Sequence, residues 1–123
     1  MHNTHSLTRV VLSVNVDSGG TGQARAYVNG TIVNVYRTYS GQSGTCDGVL
    51  FEQFPGNLER TILTVSNSAT NGNSPVLAQA VDSSNSAIAG TYLHPFVCGE
   101  LVLQVTGGTA ATAGVVWYVT VLE

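Results

Sequence analysis

Apolar and polar residues alternate along most of this chain, and nowhere do apolar residues recur at helical spacing for three turns. The cleanest run is Leu7 to Asp17. There Val10, Leu12, Val14 and Val16 interleave with Val11, Ser13, Asn15 and Asp17, the pattern of a half-buried strand. Gln23 to Val28 and Thr31 to Tyr39 flank Asn29-Gly30, a pair that signals either a tight hairpin turn or a bulge in one long strand. Val49 to Phe54 and Leu58 to Val65 surround the turn residues Pro55-Gly56-Asn57. Ser40 to Gly48 and the polar tract Ser66 to Pro75 read as loops, Val76 to Val81 as a small-residue strand, and Asp82 to Ser86 as a turn. Ala87 to Val97 is ambiguous, although His94-Pro95 excludes a helix across it.

The C-terminal stretch is the most apolar. In Leu101 to Thr106, Leu101, Leu103 and Val105 share a face; in Val115 to Leu122, Val115, Trp117, Val119 and Val121 do. With the small-residue segment Gly107 to Gly114 between them, they read as a C-terminal hairpin. Its second strand is apolar on both sides and needs cover on both, from a second sheet and from a loop or another subunit. About seven to nine short strands, with turns at roughly ten-residue intervals, predict an all-β fold. We expect an antiparallel β-sandwich, jelly-roll-like or immunoglobulin-like, with little or no helix. A flexible N-terminal arm is expected over residues 1–6 and a single domain over 7–123.

Composition narrows the function. The 123 residues carry a net charge of −3 and only 9% charged side chains, with no lysine. An average soluble domain has about 25% charged residues. The basic residues Arg9, Arg25, Arg37 and Arg60 are scattered, so neither nucleic acid nor an anionic membrane surface is an expected partner. No apolar run is long enough to span a bilayer, and the first nine residues lack the order of a secretory signal, so the usual export route is not expected.

No catalytic, cofactor-binding or metal-binding constellation is legible. His2 and His5 lie in the arm, and His94 precedes a proline in a loop. Glycosidase chemistry would need a carboxylate pair such as Glu52 with Glu100, and nothing in the pattern supports one. The chain is therefore expected to be no enzyme and to need no cofactor. Cys46 and Cys98 fit neither a redox pair nor a zinc site. They are either two free thiols or a disulfide formed late, closing a loop of roughly 50 residues worth about 4 kcal/mol. Of the aromatics Tyr27, Tyr36, Tyr39, Tyr92, Tyr118 and Trp117, any that are exposed would suit a sugar platform. Tyr36-Arg37-Thr38-Tyr39, at a strand end, carries the residue types favoured as interface anchors.

Three tracts carry a family resemblance. They are Asn29-Gly30-Thr31-Ile32-Val33 leading into Val35 to Tyr39; Arg60-Thr61-Ile62-Leu63-Thr64-Val65-Ser66-Asn67; and Leu77-Ala78-Gln79-Ala80-Val81-Asp82 followed by Ala87-Ile88-Ala89-Gly90. Over most of the chain after Leu7 this order is similar to small structural proteins of tailed bacteriophages, including capsid cement (decoration) proteins. The resemblance implies a homotrimer on the virion capsid surface, made in the host cytoplasm, that clamps neighbouring copies of the major capsid protein. It implies no catalytic residues. The interface is expected to use His2, His5, Leu7, Tyr36, Arg37, Tyr39 and Tyr118. The alternative is a sugar- or receptor-binding β-sandwich module of a phage tail or fibre.

Overall fold

The structure, a computed structural model, describes residues 6–81, 83–84 and 86–123. They form β1 (Leu7–Val16), β2 (Gly22–Tyr39), β3 (Cys46–Phe54), β4 (Leu58–Ser68), β5 (Gly72–Pro75), β6 (Ala78–Val81), β7 (Ala87–Leu93), β8 (Phe96–Thr106) and β9 (Ala111–Leu122). All pairing is antiparallel, as expected, and the described residues contain no helix.

The long strand β2 is what makes two layers out of one hydrogen-bonded path, β1-β9-β2-β8-β3-β4. Its first half, Gly22 to Thr31, pairs with β8; its second half pairs with β9 and, over Asn34 to Arg37, with β5. The switch falls at Gly30 and Thr31, followed by a bulge between Ile32 and Asn34. A bulge bends a strand and strengthens its local twist, which lets one strand serve both sheets. Sheet I is thus β1-β9-β2-β5 and sheet II is β2-β8-β3-β4.

Asn29-Gly30 therefore makes no hairpin. Gly30 is needed for closeness: a Cβ there would lie 2.6 Å from the Leu122 carbonyl oxygen and 2.6 Å from a Val121 methyl. The corner closes because that atom is missing. The expected C-terminal hairpin is also corrected. β8 and β9 are consecutive but lie in different sheets, and the Gly107 to Ala110 link crosses between layers. The polar tract Ser66 to Pro75 is not all loop, since β4 continues to Ser68 and Gly72–Pro75 forms the edge strand β5. The ambiguous stretch Ala87 to Val97 resolves into β7 and the start of β8, with β6 and β7 forming a separate two-stranded sheet.

The core lies between the layers. Leu12, Val14 and Val16 of β1, Val35 of β2, and Val115, Trp117, Val119 and Val121 of β9 meet Leu50 of β3 and Leu101, Leu103 and Val105 of β8. Ile62, Leu63 and Val65 of β4 pack against this cluster from the edge. The alternation read from sequence points the right residues inward in β1, β8 and β9. Trp117 is fully buried, and its ring fits only because residue 48 has no side chain: a Cβ there would lie 2.6 Å from the ring. The indole Nε1 has no hydrogen-bond partner.

Among the described residues one charge sits inside. Glu52, 4% exposed, is paired with Arg60 at 2.9 Å, and its other oxygen accepts the Cys98 backbone N–H at 3.2 Å. Pairing between β3 and β8 stops at Gln53–Glu100, so this carboxylate satisfies backbone that the ladder leaves behind. Removing one partner of a buried pair costs about 3–5 kcal/mol. Arg60 is half exposed and can rehydrate, so Glu52→Ala is expected to cost about 2 kcal/mol, read as a lower midpoint in urea. Glu100 lies on the other face of sheet II, in an ion pair with Arg25 at 2.6 Å. Glu52 and Glu100 therefore share no cleft.

Candidate functional site

The site is the outward face of sheet I. Pairing across its four strands sets two rows of side chains in register. Asn73 (β5), Tyr36 (β2), Tyr118 (β9) and Val11 (β1) form one row. Pro75, Asn34, Thr120 and Arg9 form the next. Each outward residue is flanked in sequence by a core residue: Tyr36 by Val35, Tyr118 by Trp117 and Val119, Asn34 by Val35. The hydrophobic demand of the core fixes the outward direction of these groups.

Seven residues, Arg9, Asn34, Tyr36, Thr38, Asn73, Tyr118 and Thr120, line a groove of about 590 Å³. That is within the usual range for small-molecule sites, about 300–1,000 Å³. Tyr36, 41% exposed, and Tyr118 are direct cross-strand neighbours at its centre. Such neighbours have Cβ atoms about 4.5–5.5 Å apart, so the rings form a joint apolar patch. On one side the Asn34 side-chain amide donates to Asn73 Oδ1 at 3.2 Å, which leaves the Asn34 Oδ1 acceptor and three N–H donors on the pair. On the other side the Arg9 guanidinium lies over the Tyr118 ring, 5.9 Å from its centroid. Among the described residues no carboxylate lines the groove.

The quartet Tyr36-Arg37-Thr38-Tyr39 is split by strand alternation. Tyr36 and Thr38 face the groove; Arg37 and Tyr39 face the other way. Arg37 donates to Ser74 Oγ at 2.9 Å, Ser68 Oγ at 3.1 Å and the Thr70 carbonyl at 3.3 Å. It fastens β5 and the end of β4 beneath β2, and Tyr39 packs against the core. Leu7 is exposed at the start of β1, two residues from Arg9. His2 and His5 lie outside the described residues. Tyr36 and Tyr118 are thus the expected site residues that the fold brings together. Arg9, Asn34, Asn73, Thr38 and Thr120 join them and were missed. The signal for most of them was their phase opposite a core valine, but only the register places them side by side.

Other expected features are set apart from this face. Among the described residues no cluster of three or more histidines, cysteines or carboxylates could hold a metal. His94 Nδ1 is 2.7 Å from the Val76 carbonyl, in a loop role. The disulfide alternative is corrected: both thiols are free, Cys46 buried and Cys98 exposed. Cys46 starts the β3 segment that pairs near Thr106, while Cys98 lies eight residues further along β8. At a strand's rise that is about 26 Å, far beyond a disulfide's reach. Burial, and secondarily the Asp47 charge, push the Cys46 thiol above its ordinary value and keep it protonated. A thiol reagent is therefore expected to titrate one cysteine in the native protein and two in denaturant.

No known protein family matches the chain by sequence, and no curated protein does. Among solved structures, the chain is similar to the carbohydrate-binding module TmCBM61, solved in complex with beta-1,4-galactotriose. The identity is 11%, the TM-score 0.32, and the match covers 97% of this chain and 87% of that one. Function is therefore argued from the groove.

Proposed function

We propose that this chain is a non-enzymatic binding module that holds a saccharide across the outward face of sheet I. The observation that carries this reading is the pair Tyr36–Tyr118, side by side in a groove otherwise lined by amides, hydroxyls and one guanidinium. A sugar ring has an apolar C–H face and a rim of hydroxyls that both donate and accept. The first suits an aromatic patch; the second suits Asn34, Asn73, Thr38 and Thr120. The groove has no nucleophile held by a base and no paired carboxylates, so it fits binding without turnover. A glycan array probed with the intact chain tests this. Binding to a defined glycan class, lost in the Tyr36→Ala/Tyr118→Ala double variant, is expected. An empty array, or binding that survives the double variant, would contradict it.

A second reading is favoured by a different observation. Phe54 and Leu58, the latter 66% exposed, sit at the tip of the β3–β4 hairpin, and Tyr92 and Leu93 are exposed on the small β6–β7 sheet. A lone two-stranded sheet is marginal in water, so contact with a neighbour would stabilise it. That suits a capsid cement subunit, trimeric and clamped between copies of a major capsid protein. Light scattering after size exclusion separates the readings: a stable trimer supports cement, and a monomer removes that support.

A further inference from the structure

We propose that the saccharide held by the groove carries a carboxylate, as a uronic or sialic acid does, and that Arg9 receives it. This rests on the saccharide-binding reading above and names the ligand class for the same face.

The four arginines are used differently. Arg25 and Arg60 are committed to Glu100 and Glu52, and Arg37 is held by the Ser68–Ser74 segment. Arg9 has no hydrogen-bond or ion-pair partner among the described residues, and its guanidinium lies over the Tyr118 ring. A guanidinium attracted to an aromatic face still carries its N–H fork, the group that matches a carboxylate bidentately. Glu123, just past the end of the neighbouring strand β9, accepts from Thr8 at 3.1 Å. Thr8 and Glu123 share the opposite phase of their strands and line a different hollow with Val10 and Val121. No anion among the described residues therefore competes within the groove.

In a chain of net charge −3, an exposed cation left unpaired inside the aromatic groove is a local exception. The approach of an anionic glycan gains nothing from the whole-molecule field, so recognition depends on contact at Arg9. A neutral saccharide would use the rings and amides and leave the fork to water. The acidic analogue adds a charge-assisted pair, expected to raise affinity about tenfold in so open a groove.

The test is a matched glycan array with calorimetric follow-up on the intact chain, presenting uronic, sialylated and sulfated members beside their neutral counterparts. The expected result is about tenfold preference for the carboxylated members over their neutral counterparts, abolished by Arg9→Gln and only partly kept by Arg9→Lys. Thermal melting verifies that both variants fold. Equal binding of neutral and carboxylated members, preference for sulfate alone, or a preference that survives Arg9→Gln would overturn it. In the first of these cases, neutral binding lost in Tyr36→Ala/Tyr118→Ala leaves the saccharide reading standing while this inference falls. An array with no binding removes both.

Discussion

Replacing Trp117 with alanine is expected to lower the unfolding free energy by about 4 kcal/mol, the largest single effect in this chain. Trp117 is fully buried where the two sheets face each other, against the bare backbone of Gly48. Removing the ring deletes its contacts with both sheets and leaves a cavity that strands cannot collapse to fill. Typical domains have about 5–15 kcal/mol in total, so a melting temperature lower by roughly 15 °C is expected by differential scanning calorimetry. Two companion variants check the cause. Gly48→Ala presses a methyl into the ring and should cost about 3 kcal/mol, because a strand backbone and a packed indole cannot both give way. Trp117→Phe should cost less than 2 kcal/mol. It loses part of the ring, but it also removes an indole N–H that is buried without a partner, itself a cost of about 1–3 kcal/mol.

Loss of glycan binding in the Tyr36 and Tyr118 variants is the second large effect. Each single alanine variant is expected to weaken binding about tenfold, as truncating a central aromatic anchor commonly does. The double variant should bind at least a hundredfold more weakly, or below detection. Folding should barely change. Tyr36 stands on the solvent face, where substitutions usually stay within about 0.5 kcal/mol. Tyr118 is more covered and also carries the Arg9 contact, so Tyr118→Ala should cost about 1 kcal/mol. This split between binding and stability distinguishes a ligand platform from a structural cross-strand pair. Calorimetric titration gives the first quantity and thermal melting the second.

Strand existence and facing were legible in the sequence because burial imposes a period of two. Leu12, Val14 and Val16, or Leu101, Leu103 and Val105, declare an inward face whatever they pack against. Pairing was not legible. The short glycine-rich link before β9 suggests a hairpin with β8, yet β9 fills the gap between β1 and the second half of β2. Asn29-Gly30 satisfies a turn rule, but the same glycine serves a corner where a Cβ would strike Leu122. Local rules could not choose between these uses, because the deciding atoms belong to a strand some 90 residues away. The candidate site follows the same logic. Tyr36 and Tyr118 each stood out as aromatic anchors, but their adjacency depends on β9 pairing with β2. Arg9 and Asn73 lie at the two ends of the groove, on strands β1 and β5 that never pair with each other. Arg37, adjacent to Tyr36 in sequence, is on the wrong face by one residue.

The most direct measurement is a ¹⁵N–¹H NMR titration of the intact chain with the glycan that binds most tightly on the array. The groove predicts amide shifts concentrated at Arg9, Asn34, Tyr36, Thr38, Asn73, Tyr118 and Thr120, with β3, β4 and β8 unmoved. Shifts centred instead on sheet II, around Tyr27 and Phe96, or no localised shifts at saturating glycan, would contradict a saccharide site on sheet I.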